Sequence, residues 1–447
     1  MDTWEFVLVS LSAGFTNGGY GGLFWTLVGT VLCCSTIVAS LAELETMAPT
    51  SGGQYHWVSE FAPEEYQRFL SYAVGWMSSL GWIASVASSV FVCTTMIQAM
   101  IELGEPDFAF PNWQYTLIMI AFSVLTIFFN TWGAPYLPLI ETLSLSGHLG
   151  GFLVVIIPLL VLCPKNSASE AFTSVVNSGG WSSKGTACLL SQVTVLYCNL
   201  ESDSAVHISE KVADAGFVVP RVMWWSYVMS VLLGIFILIT MLLCIYPLDA
   251  MLDAVLDSDA PGNITALATS SREAWAFSRD RGFPFSRTIS TLNQKRHVPA
   301  NAVFLTTLLT LILCLSHKPW LDYRVQCNWV TLPVGPTLHL HGLDSLCFEE
   351  TNTERTTSAS SLGSGVWGLP INAFAVAYSA FAIVFSCFPV TVPVTTLKDA
   401  NWVPLVWISV MLISFGIYVL HGRKSFIAPV IFAQGRKQPR ARSAADQ

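Results

Sequence analysis

The chain has 447 residues, of which 53% are hydrophobic and 11% are charged, and its mean hydropathy is +0.56. A soluble globule cannot bury so much apolar surface, so the composition predicts a protein that is dissolved in lipid. The formal net charge of -8 provides no basic field, and we expect no nucleic-acid partner. The 11 cysteines show no CxxC or Cys/His spacing, so we expect neither a metal site nor a disulfide framework, and no cofactor is implied.

Long apolar stretches recur along the chain, and a bilayer core about 30 Å thick requires roughly 20 apolar residues of helix. Two runs, 185–200 and 301–316, need flanking polar residues to complete a crossing, and Phe6–Phe15 is predicted to form only a half-helix. The stretches of sufficient length are 21–42, 69–101, 114–131, 142–163, 222–246, 371–393 and 402–420. The pattern predicts an all-α, polytopic membrane helix bundle in contact with the lipid bilayer.

The charges of the loops predict their sides of the membrane, because Lys and Arg in short loops favour the cytoplasm. Segments 102–113 and 246–262 contain acidic residues but no Lys or Arg, so we expect both outside. Segments 270–297 and 421–442 are rich in Lys and Arg, so we expect both in the cytosol. An outside segment that ends at 262 is thus followed closely by an inside segment, and one spanning helix is predicted to be largely missing near 262–272.

Residues 317–365 interrupt the apolar pattern with a polar sequence that has no periodicity. A polar loop of this length is unusual inside a compact helical bundle. Two explanations stay open, a true inserted loop and an altered reading frame or retained intron. We therefore expect one transmembrane domain at 1–420, with this anomalous segment inside it, and a cytosolic basic tail at 421–447.

Five segments, in order, resemble the fungal amino-acid, GABA and choline permeases of the amino acid/polyamine/organocation superfamily. They are NGGYGGLFWTLVGT (17–30), SLAELETMAPTSGGQYHWVSEFAP (40–63), GWMSSLGWIASVAS (75–88), SDSAVHISEKVADAGFVVPRVMWW (202–225) and SSREAWAFSRDRGFPFSR (270–287). The resemblance implies a five-plus-five inverted repeat with two additional C-terminal helices, in which helices 1 and 6 are broken where substrate binds. Against this pattern, helices 1, 8 and 10 of the chain are expected to be incomplete.

The resemblance implies a substrate residue set next to the break in helix 1. Thr3, Trp4 and Glu5 match the family's TWE stretch at this place. An aromatic ring there could face a cationic headgroup by cation–π attraction. The alternative interpretation makes Trp4 an interfacial anchor and Glu5 a terminal charge.

A second candidate set crowds the end of the apolar run that should form helix 6. Interrupted helices offer free backbone dipoles to a zwitterion or an amine, at a depth where only a buried break is tolerated. The alternative interpretation is that the helix simply ends at Leu200 before a solvated loop. The substrate-binding candidates in this segment are Tyr197, Asn199, Glu201, Ser202 and Asp203.

Four further residues are assigned to gating or coupling, namely His207, Glu210, Arg272 and Asp280. Carboxylates at membrane depth are costly, so they tend to be paired, to face a cavity or to exchange protons. The resemblance places Arg272 and Asp280 at the cytosolic end of helix 8, where a charge network could latch the inward gate. Inside-positive topology explains the basic residues there equally well.

The sequence contains no HExxH, GxSxG or GxxxxGK[ST] motif, so we expect neither an enzyme nor an ATP-driven pump. The prediction is a secondary active transporter for an amino acid, GABA, choline or a related amine, coupled to protons, in the plasma or vacuolar membrane. One alternative is a transport-dead truncated paralogue, or a faulty gene model, with a structural or regulatory role. A remoter alternative is a membrane-embedded enzyme, for which Glu141 and His148 are too few ligands.

Overall fold

The computed structural model describes residues 3–105, 111–199, 202–244, 265–292, 298–315, 368–395, 400–427 and 429. Within these ranges the chain is helical and contains no strand, which confirms the predicted all-α class. Four segments discussed above lie outside the described residues: the acidic loop 246–262, the start of the predicted helix 8 gap, the polar segment 317–365 and the tail beyond 429.

The helices follow the apolar stretches of the sequence closely. The α-helices of the described ranges are α1 Thr3–Met47, α2 Gln54–Phe61, α3 Glu64–Gly104, α4 Asn112–Thr131, α5 Leu137–Leu162, α6 Ala168–Thr173, α7 Lys184–Tyr197, α8 Ala215–Cys244, α9 Thr265–Arg279, α10 Ser286–Ile289, α11 Ala300–Leu315, α12 Gly368–Ser386, α13 Val403–Ile417 and α14 Arg423–Ser425. Short 3₁₀ helices lie at Ala134–Tyr136 and Val206–Lys211, and a π-helical turn, Tyr418–Gly422, joins α13 to α14. In the described ranges, α1, α3, α4, α5, α8 and α12 supply six stretches long and apolar enough to cross a membrane.

Helix α1 consists of two helical halves that meet at Gly19. This glycine has a φ of 63°, a backbone conformation that L side chains rarely adopt. A Cβ atom at Gly21 would come within 2.8 Å of the Phe172 carbonyl oxygen, so the next turn also needs a glycine for close packing. The half-helix and the first full span predicted from the sequence are therefore joined in one bent element.

The bent helix α1 is the centre of the first hydrophobic core, where it packs against α7 and α8. Tyr20 and Leu23 of α1 meet Val195 of α7 and Ile237 and Leu238 of α8, and each of these side chains is at most 3% exposed. Between membrane helices such contacts act through close packing, because lipid tails are as apolar as the side chains. The arrangement brings the start of α1 and the end of α7 into one core.

Helices α7 and α12 end earlier than the apolar pattern indicates. Helix α12 ends at Ser386 although the predicted span ran to 393, and the intervening sequence contains Pro389 and Pro393. Proline removes a backbone donor and disfavours helical conformation in the residue before it. The rest of the apolar run, 387–393, is therefore not helical. Helix α7 stops at Tyr197, before the end of its predicted run at 200, whereas α13 continues past 420 as the π-helical turn Tyr418–Gly422.

The two basic segments of the sequence meet at one end of the bundle. The backbone N–H of Ile427 donates to the Asp280 carbonyl oxygen at 3.2 Å, and Arg68 Nη2 donates to the Gly422 carbonyl oxygen at 3.5 Å. At the opposite end, Val392 N–H donates to the Gly179 carbonyl oxygen at 2.7 Å. The distribution of Lys and Arg predicts that the end with the basic residues faces the cytosol, and it is called the cytosolic end below.

An aromatic cluster closes the cytosolic end. Tyr55 of α2, Tyr72 of α3 and Phe426 after α14 surround Phe277 of α9, which is fully buried. The ring of Phe277 meets those of Tyr55 and Phe283 edge-on, with centroids 5.3 and 5.0 Å apart. Such edge-to-face pairs add to packing, so the cluster ties the short helix α9 to the longer helices around it.

We expect Gly75→Ala to destabilise the protein, because a Cβ atom at Gly75 would overlap the ring of Phe277. Overpacking of a filled site costs about 1–3 kcal/mol, which should appear as a lower Tm of the purified chain in detergent. Gly29→Ala is the matched control, since a Cβ atom there meets nothing within 4 Å. Equal Tm values for the two variants would contradict the packing around Phe277.

Candidate functional site

The first turn of α1 sets Trp4 and Glu5 against α5. Trp4 Nε1 lies 3.1 Å from the ring nitrogens of His148, and His148 Nδ1 lies 2.6 Å from Glu5 Oε1. One tautomer satisfies both contacts, with Nδ1–H donating to Glu5 and Nε2 accepting from Trp4. The other carboxylate oxygen, Glu5 Oε2, is buried and has no hydrogen-bond partner among the described residues.

The end of α7 lies in the same core as Trp4. Val195 and Cys198 belong to the hydrophobic cluster that contains Trp4, whose side chain is 5% exposed. Asn199 follows in the turn, and its Nδ2 donates back to the Val195 carbonyl oxygen at 2.8 Å. Its Oδ1 is buried and makes no hydrogen bond within the described part of the chain. Two unsatisfied acceptors, Glu5 Oε2 and Asn199 Oδ1, thus belong to elements that share one core.

The remaining substrate-site candidates lie close to this pair in sequence, but less is described of them. The side chains of Thr3 and Tyr197 and the whole of Glu201 lie outside what the structure describes. Ser202 is half-buried in the turn between α7 and the 3₁₀ helix, and Asp203 is buried there. Asp203 points to a different set of partners, at the cytosolic end.

Those partners are the first residue of α2 and a residue of the 3₁₀ helix. Asp203 Oδ2 accepts a hydrogen bond from Gln54 Nε2 and lies 3.8 Å from His207 Nε2. His207 Nδ1 lies 3.0 Å from the Ser51 carbonyl oxygen, and because a carbonyl only accepts, this nitrogen carries the hydrogen. The edge of the His207 ring meets the ring of Trp82 on α3, with centroids 5.3 Å apart.

A second chain of contacts links the loop before α2 to the end of α9. Ser51 Oγ donates to Glu210 Oε1 at 2.7 Å, and Arg279 Nη1 lies 3.1 Å from the same oxygen. Arg279 Nε is 3.6 Å from Asp280 Oδ1, and the Tyr55 hydroxyl donates to Asp280 Oδ2 at 2.9 Å. Residues 51–55, 203–210 and 279–280, which are far apart in sequence, are therefore cross-linked by polar contacts at the cytosolic end.

The ionisation of this network follows from burial and pairing. Burial raises the pKa of Asp280 to about 6, although Arg279 and the Tyr55 hydroxyl both lower it. Burial acts in the same direction on Glu210, but the hydrogen bond from Ser51 and the charge of Arg279 outweigh it, so its pKa is below the ordinary value. Burial lowers the pKa of His207, yet Asp203 more than offsets this effect and the net shift is upward.

Two residues of α9 depart from the sequence-based expectation. Arg272 is half-buried and its electrostatic partner is Glu141 of α5, so it lies apart from the network around Asp280. Glu273, which no motif singles out, is completely buried and interacts electrostatically with His207 and Asp203. Glu273 is the acid in the polar segment SSREAWAF, and from the sequence alone it would be predicted to be solvent-exposed. The sequence does not show which face of a short amphipathic helix is buried.

The comparisons with known proteins agree with this architecture. The family model for amino acid permeases matches residues 6–259 and 250–415. An uncharacterized amino-acid permease of Schizosaccharomyces pombe is 25% identical over 95% of this chain and 83% of the relative. A choline transporter of Saccharomyces cerevisiae is 25% identical over 96% and 80%, and a swainsonine transporter of Arthroderma benhamiae is 26% identical over 64% and 61%.

Six membrane-length helices in the described ranges and the family match define the protein as a multi-pass membrane permease, which is a transporter and not an enzyme. The chain belongs to the amino acid permease family, which confirms the resemblance drawn from its sequence segments.

We expect Tyr55→Phe to lower the free energy of unfolding by about 1.5–3 kcal/mol, the value of a hydrogen bond to a charged group. Tyr72→Phe is the matched control, because this buried hydroxyl makes no hydrogen bond of ordinary geometry in the described ranges and has no charged acceptor beside it. Chemical unfolding of both purified variants at neutral pH measures the difference. A Tyr72→Phe loss as large as that of Tyr55→Phe would contradict the role of Asp280 as acceptor.

Proposed function

We propose that the protein is a proton-coupled secondary transporter that carries an amino acid, GABA, choline or a related amine across the plasma or vacuolar membrane. The observation that carries this proposal is the buried, unpaired Glu5 Oε2 beside Trp4, in a core shared with the end of α7. A cation that leaves water needs a fixed negative charge or an aromatic face to replace its hydration. The carboxylate and the indole supply both.

The acceptors of the site favour a substrate with a positively charged nitrogen. Glu5 Oε2 and Asn199 Oδ1 both lack a donor in the described part of the chain, and an ammonium group could supply one to either oxygen. A quaternary amine has no N–H and would depend on Trp4 and on the charge of Glu5. The relative named as a choline transporter supports this class of substrate. Thr3, Tyr197, Glu201 and Ser202 are proposed to complete the substrate site.

The cytosolic network is proposed to act as the inward gate and coupling region. Opening this end must separate segment 202–211 from residues 51–55 and from α9, because Asp203, His207 and Glu210 are tied to both. Arg279 and Asp280 form the other side of this contact. Arg272 is proposed to assist from α9 through its interaction with Glu141.

Tracer uptake tests the proposal. Yeast cells that lack their own amine carriers would express the chain and receive labelled choline, GABA or a mixture of amino acids, with and without a protonophore. We expect uptake of at least one tracer and its loss when the proton gradient is dissipated. Normal surface expression without uptake of any tracer would contradict transport and favour the transport-dead alternative.

We expect Glu5→Gln to raise the KM for a cationic substrate about tenfold or more, since one charge-assisted hydrogen bond contributes about 1.5–3 kcal/mol. Glutamine keeps the length of the side chain and an oxygen for His148, so the fold should be retained. Glu65→Gln, at an exposed position near the start of α3, is the control. An unchanged KM in a well-expressed Glu5→Gln variant would remove Glu5 from the substrate site.

A further inference from the structure

We propose that Glu273, His207 and Asp203 form one buried proton-binding site at the cytosolic end, and that a proton bound there holds segment 202–211 against α9. This inference rests on the proposed function where it concerns coupling to substrate. Proton binding and the docking of the two elements can be measured without transport.

The three groups belong to segment 202–211 and to α9, which also meet through Glu210 and Arg279. Glu273 of α9 and the side chain of His207 are completely buried, and the side chain of Asp203 is 8% exposed. The Nδ1–H of His207 is engaged by the Ser51 carbonyl oxygen. Its Nε2, 3.8 Å from Asp203 Oδ2, has no hydrogen-bond partner in the described ranges, so this is the ring position open to a proton.

Counting charges shows why the site needs protons. With both carboxyl groups ionised and His207 neutral, the site carries two uncompensated negative charges away from water. A proton on His207 leaves one negative charge, and a second proton on a carboxyl group leaves none. Because an uncompensated buried charge costs several kcal/mol, the closed arrangement favours the neutral form.

Glu273 is the carboxyl group that exchanges the second proton. Asp203 receives a hydrogen bond from Gln54 and the charge of His207, which both stabilise its ionised form. The hydroxyls of Ser78 and Ser79 lie beside Glu273, but neither carboxylate oxygen has a hydrogen bond of ordinary geometry in the described ranges. Helix α9, which carries Glu273, is not one of the six membrane-length helices. Burial raises the pKa of Glu273 to about 7, although the charge of His207 and the hydroxyls of Ser78 and Ser79 lower it.

The other described cations near the site are engaged elsewhere or exposed. Arg68 of α3, which also packs against α9, donates to the Gly422 carbonyl oxygen, and Lys211 of segment 202–211 is exposed. Helices α4 and α11, which pack against α9, contain no Asp, Glu, Lys, Arg or His. On α9 itself, Arg279 is paired with Glu210 and Asp280, and Arg272 interacts with Glu141. Arg287 of α10 is exposed. Helix α2 carries three buried titratable groups, Tyr55, His56 and Glu60, of which the Tyr55 phenol interacts electrostatically with Glu273.

Release of the proton would loosen the gate. When the Glu273 carboxyl group passes its proton to water, a carboxylate is left facing Asp203, and the two negative charges repel each other across the contact between α9 and segment 202–211. Separation of α9 from segment 202–211 admits water to both carboxylates and removes the free-energy cost of keeping them buried and close together. The proton is therefore bound in the closed state and released toward the cytosol in the open state.

The first test compares thermal unfolding of the purified full chain, of Glu273→Gln and of Glu65→Gln between pH 5 and pH 8.5. A folded-state pKa raised above the unfolded value gives stability that is present at low pH and is lost as the pH rises through about 7. We expect Glu273→Gln, a permanent mimic of the protonated acid, to gain at least about 2 °C in Tm over the unmodified chain between these pH values. Glu65→Gln should run parallel to the unmodified chain, because Glu65 is exposed.

A parallel profile for Glu273→Gln would overturn the proposal. Failure of this variant to fold would overturn it as well, since the neutral form is the one that the closed site should accept. Hydrogen exchange of the unmodified chain gives an independent readout, with peptides from 202–211 expected to exchange faster above pH 7 after correction for the intrinsic rate. Equal corrected rates on both sides of pH 7 would contradict the docking role.

Uptake measurements separate this inference from the proposed function. An unmodified chain that carries no choline, GABA or amino acid would refute transport, while the Tm profiles would still decide the proton site. An unmodified chain that transports, together with a Glu273→Gln variant whose pH profile of uptake is unchanged, would refute the proton site alone.

Discussion

The structure depends on the requirement that buried backbone N–H and C=O groups find partners within the protein. Helix α1 loses its regular hydrogen bonds at Gly19, and a neighbouring segment supplies replacements. Gly21 N–H donates to the Ser174 carbonyl oxygen at 2.7 Å, and Ser178 N–H donates to the Thr16 carbonyl oxygen at 2.9 Å. Helix α6 and the non-helical residues 174–178 after it cover this bend. Because α7 follows them in the chain, it packs against α1. Trp4 therefore lies near the end of α7 because the segment that hydrogen-bonds to the backbone at the bend leads directly into α7.

Hydropathy predicted most of this architecture because it reports a local quantity, the free energy of moving a segment into lipid. The half-helix at 6–15, the long spans and the two shorter runs all occur as helices in the described ranges. The ends were less predictable, since α12 stops at Ser386 where nearby prolines override an apolar run. The distribution of Lys and Arg likewise predicted that 270–297 and 421–442 meet at one end, as their described parts do.

The candidate site was predictable only in part, because side-chain partners are set by contacts between distant segments. The resemblance pointed to Trp4 and Glu5, but the partner of both is His148, more than 140 residues away. His207 and Asp203 stood out by their position after an apolar run, whereas Glu273 did not. Only the fold shows that Glu273 faces inward on α9 while its neighbour Arg272 turns toward α5.

The two carboxylate and histidine pairs suggest how substrate and proton are linked in the proposed cycle. Glu5 with His148 lies by the start of α1, and Glu273 with His207 lies at the cytosolic end, and each pair leaves at least one carboxylate oxygen without a hydrogen bond in the described ranges. A cationic substrate neutralises the first site and a proton neutralises the second. A closed site that keeps an uncompensated charge away from water costs several kcal/mol of desolvation. Coupling between the sites therefore needs no direct contact, because bound substrate stabilises the closed form of the first site, and release of the proton opens the second site to water.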